Sequence, residues 1–201
     1  MIELKNQKYS VSIVLIAGIF WSFGPYVVRN IDNAGAVPWQ YLFTRGFVIF
    51  VLLNIFLYLE EGGKFYKNYF NIGISGLVGG LGLAIAMISF IWSITSTTAA
   101  ITLLCLAAMP FITALLGFLF LNEKITLSVW LTISTASIGI VIMAFGNENI
   151  HSFSGLAYGL ASALGFSIFS VSLRWRKETP KFTTVSLAGL ICAIISAIFI
   201  L

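Results

Sequence analysis

The sequence predicts an all-α polytopic membrane fold, on composition, on run length and on the lack of alternation. Hydrophobic residues fill 59% of its 201 positions and charged residues only 9%, against roughly 25% charged in an average soluble domain. The mean hydropathy is +1.02. The apolar residues form long uninterrupted runs, which excludes barrel strands and requires spanning helices of about 20 residues. A soluble enzyme core, a large extramembrane domain and a disordered chain are excluded as well.

Seven runs meet that requirement in order. Val11–Val28 is too long for the apolar core of a cleavable signal peptide and has no small-residue cleavage site after it. Val37–Leu59 starts beside Pro38, a residue suited to a first helical turn. Tyr69–Trp92 and Thr97–Leu121 are separated by a short Ser/Thr segment, and the latter contains Pro110. Thr126–Phe145 follows the polar turn at Asn122–Lys124, and Ser154–Leu173 ends at Arg174. Phe182–Leu201 is still apolar at its last residue, so the chain reads as a truncated frame, with a naturally short variant as the alternative.

Charge placement orients these spans. Lys5, Lys8, Lys64, Lys67, Lys124, Arg174, Arg176, Lys177 and Lys181 fall on one side of the alternating topology, with Arg29 on the other. Basic loops stay inside, so the expectation is a multi-pass protein of the plasma (inner) membrane with a cytoplasmic N-terminus. The pI of 9.2 is a topology signal, and no nucleic-acid partner is implied. Trp39, Trp92, Trp130 and Trp175 sit at span ends, where indoles favour the interface. Trp21 lies mid-span, where its N–H needs a partner or a cavity. Cys105 and Cys192 lie in apolar runs without metal-ligand spacing and read as packing residues. No metal and no cofactor is expected.

The spans repeat. Trp21–Arg29 is followed by Pro38, and Phe166–Arg174 by Pro180; Ser22 and Ser167 each lie seven residues before their arginine. The matched helices are the first and the sixth, so they run in opposite directions, the mark of an inverted repeat.

Trp21 in the first span, Arg45 after Pro38 in the second, the stretch from Pro110 through Phe118–Lys124 in the fourth, and Gly139 in the fifth make the chain resemble the EamA-type transporters of the drug/metabolite transporter superfamily. That resemblance implies ten helices in two inverted five-helix units. Residues 11–146 would be the first unit, and 154–201 the first two helices of the second. Trp21-Ser22 departs from the Trp-Gly often found there, and three helices are missing. The implied activity is not enzymatic. It is alternating-access transport, as an exporter, of a small metabolite such as an amino acid or a related neutral, zwitterionic or anionic solute. The alternative is a non-transporting membrane subunit, or a half-transporter completed by a homodimer partner or by the missing C-terminal helices.

Candidate site residues follow. Arg45 is the only ionisable residue well inside a span, and such charges face a cavity or a partner; its alternatives are snorkelling or bonding backbone carbonyls. Tyr41, one turn earlier, shares its face. Trp21, Ser22 and Tyr26 flank Gly24-Pro25, a cavity wall beside a proline kink or simply packed aromatics. Pro110 is a second candidate hinge. Ser89, with Thr97, Thr98 and Thr102, offers hydroxyls to a solute or to its own helix. Gly76, Gly80 and Ala84, and Gly155, Gly159 and Ala163, form small-residue stripes for close helix packing. Glu123 and Lys124 read as a cap or interfacial pair. All seven acids lie in tails, loops or span ends, so a mid-membrane proton relay is lacking and a lipophilic-cation antiporter is disfavoured.

Two other classes fail. Gly73-Ile74-Ser75-Gly76 matches an intramembrane serine-protease pattern, but the sole histidine, His151, is in a loop and no span holds a base. A retinal-type receptor would need a lysine inside the seventh span, and Lys181 sits at its start.

Overall fold

The computed structural model describes residues 7–30, 38–124, 126–146 and 153–201. They fold entirely as helices and turns: α1 (Gln7–Arg29), α2 (Pro38–Glu61), the short α3 (Lys67–Phe70), α4 (Gly73–Ser96), α5 (Ala99–Ala107), α6 (Met109–Leu121), α7 (Leu127–Gly146), α8 (Phe153–Trp175) and α9 (Lys181–Ile200). Five stretches are long and apolar enough to cross a membrane, namely α2 with its following turn, α4, α5–α6 together, α8 and α9. The first span counts as a shorter apolar run, Leu15–Val28. Glu3, Lys5, Asp32, Glu148 and His151 lie outside the described residues, as do the side chains of Lys8 and Arg29.

Two departures from the expected boundaries have local causes. Gly73 adopts a positive φ of 62°, open to glycine without a Cβ penalty, so the chain turns there and Tyr69 falls in α3 rather than in the spanning helix. The fourth span breaks at Ala108, where the Ala108 N–H donates to the Cys105 carbonyl. Pro110 occupies the first turn of α6, where its missing N–H costs nothing. It would clash with the preceding turn if the helix ran on unbroken. The Thr98 hydroxyl caps α5 by accepting from the Ile101 N–H at 3.2 Å. By contrast, α1 continues through Pro25, which leaves the Trp21 carbonyl without its usual i+4 donor.

Packing centres on α4, which lies between α8 and α9, with α2 against the far side of α9 and α5–α6 against α8. Many buried positions are small or hydroxylated: Ser75, Ser93, Thr102, Ser162, Ser167, Ser172, Thr184 and Ser196 are inside beside a core of Leu42, Leu83, Met87, Phe90, Ile91 and Ile94, and large residues such as Phe20, Leu52, Leu81 and Phe120 face outward. This arrangement suits a lipid solvent, where burying Leu gains little and close backbone approach gains more. Two antiparallel contacts show it. Gly82 meets Gly165 across α4 and α8, a Cβ on Gly82 falling 3.0 Å from the Gly165 carbonyl oxygen. Gly46 likewise meets Gly189 across α2 and α9.

The two ends of the bundle differ chemically. At one end Trp39 stacks on Phe199 at 4.5 Å and packs edge-on to Trp92 at 5.5 Å, with Tyr158 beyond. The other end collects Lys64, Lys67, Lys124, Arg174, Arg176, Lys177 and Lys181 from the ends of α2, α6, α8 and α9 and from α3.

Candidate functional site

A cleft of about 170 Å³ opens where α1, α2 and α4 meet in the aromatic half, lined by Phe20, Trp21, Gly24, Pro25, Val28, Tyr41, Arg45 and Phe90. Helical geometry accounts for its composition. Tyr41 and Arg45 are one turn apart on α2. Arg45 stands about 10 Å along the axis from Pro38 at a rise of 1.5 Å per residue. Trp21, Gly24, Pro25 and Val28 form one face of α1, with i, i+3, i+4 and i+7 spacing.

Trp21 forms the aromatic wall. Its ring lies against Phe90 of α4 at 6.4 Å, nearly parallel, and edge-on to Phe166 of α8 at 6.2 Å. Both are within the range for favourable aromatic pairs. The side chain that sequence reasoning placed mid-span in need of a cavity therefore borders one. Arg45 is half-buried. Among the described residues it makes no ion pair or hydrogen bond. A guanidinium presents five donors in a planar fork matched to carboxylates, and here the fork stands beside aromatic faces on which a planar or apolar group can rest.

Five of the nominated residues thus meet: Trp21, Gly24, Pro25, Tyr41 and Arg45. Four do not join them. The Ser22 hydroxyl donates to the Ile19 carbonyl of its own helix at 2.7 Å. Tyr26 is 67% exposed on the outer face of α1. Ser89 is buried on α4 outside the cleft wall. Pro110 lines a separate recess near Glu123, Lys124 and Arg174. Phe90 was missed, because an aromatic in a uniformly apolar helix carries no mark of the face it occupies.

The remaining candidates resolve into packing. Gly76 and Gly80 approach Thr184 and Leu187 of α9, and Gly155 and Gly159 approach Thr97 and Cys105. Cys105 and Cys192 are free and buried; their thiols donate to the Leu156 and Leu42 carbonyls. Thr102 bonds Ser93, and Ser93 donates to the Gly155 carbonyl at 2.8 Å. Among the described residues no cluster of His, Cys, Asp or Glu could hold a metal ion.

A bundle of long apolar helices that pack through interior glycines, serines and threonines, with one arginine at an aromatic cleft, is that of a polytopic membrane protein. Residues 8–145 match the model of the EamA-like transporter family, and the chain belongs to that family. No curated protein and no solved structure matches it.

Proposed function

We propose that the protein is a secondary transporter that exports a small metabolite bearing a carboxylate or similar anionic group, an amino acid being the type case. The observation that supports this most directly is the Arg45 guanidinium, unpaired among the described residues and standing at the Trp21–Tyr41–Phe90 cleft. Arg45 holds the anionic group in the manner of an arginine–carboxylate pair, and Trp21 and Tyr41 cover the rest of the solute. Transport proceeds by alternating access between two inverted units, residues 11–146 and a second unit beginning at 154. The basic end lies on the cytoplasmic side of the inner membrane with the N-terminus. The test is efflux of radiolabelled amino acids from cells making the wild type, Arg45→Ala or Arg45→Lys, with membrane insertion checked in each. Arg45→Ala abolishes efflux at unchanged insertion, and Arg45→Lys retains a fraction. Normal efflux from Arg45→Ala would remove Arg45 from the mechanism.

A second reading is favoured by one observation. The α1 face carrying Ile16, Phe20, Phe23 and Val27 is exposed, and among the described residues α1 packs mainly on α4. A half-transporter would use that face against a second copy or a partner's helix. Crosslinking in native membranes distinguishes the two.

A further inference from the structure

The end of α6 is shaped around one carboxylate. Asn122 takes a left-handed conformation at φ 53° and ends the helix, a common cap geometry for asparagine. The following N–H, that of Glu123, donates to the Gly117 carbonyl at 3.2 Å. The Glu123 side chain then folds back over Gly117, where a Cβ would lie 2.5 Å from its Oε2. There Arg174 Nη1, from the last turn of α8, donates to the same oxygen at 2.8 Å, and Nη2 reaches the Thr113 carbonyl at 3.4 Å. It is the one ion pair among the described residues. A recess of about 320 Å³ lined by Pro110, Thr113, Lys124 and Val129 adjoins it.

We infer that Glu123 and Arg174 are a breakable tie that holds the basic end of the transporter closed. The inference rests on the transport reading and on the division into two units: Glu123 ends the fourth span of the first, and Arg174 ends the first span of the second. The tie fits that role in strength and in build. Both partners are about two-fifths exposed, and pairs so wetted are weak, so one can open on each cycle without a large barrier. Gly117 is the positioning element, because any larger residue displaces the carboxylate that Arg174 grips. Closing this end leaves the Arg45 cleft, in the aromatic half, as the accessible side.

The test measures the gap at the basic end directly. Spin labels at Leu127→Cys and Glu178→Cys, both exposed positions, report the distance between the α6–α7 corner and the α8–α9 loop in nanodiscs. Cys105 and Cys192 are buried and stay in place. Glu123→Gln removes the charge, and Gly117→Ala moves the carboxylate aside while leaving both charged groups present. Gly117→Ala should not unfold α6, since the nearest atoms it meets belong to the movable Glu123 and Arg174 side chains and alanine favours helix. Both variants should add a longer-distance population, and the swap Glu123→Arg with Arg174→Glu should return the parental distribution. Unchanged distances in Glu123→Gln and Gly117→Ala, or a swap that stays broadened, would overturn the tie. Neither result touches the transport reading, which stands or falls on efflux by Arg45→Ala.

Discussion

Gly46 and Gly189 touch backbone to backbone: a Cβ on Gly46 would lie 2.7 Å from the Gly189 carbonyl oxygen, and one on Gly189 would lie 2.8 Å from that of Gly46. The contact is reciprocal and antiparallel, and the Ala193 backbone nitrogen is also within 2.9 Å of the Gly46 position. No side chain can move out of the way there. Gly46→Ala or Gly189→Ala should therefore force α2 and α9 apart, at a cost of about 1–3 kcal/mol for overpacking. Thermal unfolding in detergent measures it. The control is Gly18→Ala, which meets nothing within 4 Å and should be neutral or slightly stabilising, as alanine favours helix.

The Trp21 wall should separate size from polarity. Trp21→Ala removes the ring that covers the solute in the proposed site and should raise the KM by about two- to tenfold, the loss of one aromatic contact of about 0.5–1.5 kcal/mol. Trp21→Phe should recover most of that. Equal kinetics for wild type and Trp21→Ala would detach this ring from the solute.

A polar triangle ties α2, α3 and α9 together. The Tyr69 hydroxyl lies 2.9 Å from Asn54 Oδ1 and 2.7 Å from Ser186 Oγ, and Asn54 Nδ2 donates to Ser186 at 2.9 Å. Ser186→Ala and Tyr69→Phe should each lower stability by about 0.5–1.5 kcal/mol. Together they should cost less than the sum, since both break the same contact. Strict additivity in a double-mutant cycle would show that the triangle is not one unit.

Thr183 carries the opposite expectation. It is fully buried near the start of α9, and its hydroxyl has no hydrogen-bond partner among the described residues. Thr183→Val keeps the branched shape and removes an unsatisfied polar atom, so it should stabilise by about 1 kcal/mol. A lower melting temperature for Thr183→Val would mean that the hydroxyl does bond in the membrane.

The helices were legible because lipid demands length and apolarity, and both can be counted: the expected Thr126–Phe145 and Phe182–Leu201 lie beside the observed Leu127–Gly146 and Lys181–Ile200. Faces were far less legible. A helix that is apolar all round has no stripe to read, so Phe90 on α4 stayed hidden among its neighbours. Small-residue spacing drew attention to Gly76–Gly80 and Gly155–Gly159, yet two equally close contacts, Gly46–Gly189 and Gly82–Gly165, pair single glycines from distant segments. No local pattern announces such a meeting. Arg45 and Trp21 were found because each is out of place mid-span, and Tyr41 by helical register from Arg45. Glu123 and Arg174 each looked like ordinary end charges, and only the docking of α6 on α8 joins residues 51 apart in the chain.

The central place of α4 sets an order of events during synthesis. Its buried surface, from Ser75 and Gly79 to Ser93, is covered by α8 and α9, which leave the ribosome long after it does. Until they insert, that polar and glycine-lined surface must be held against lipid or an insertion factor. The first spans are thus committed to the membrane before they can be committed to one another. A ribosome stalled between α7 and α8 would leave a chain with its midline helix unclaimed, a natural target for membrane quality control.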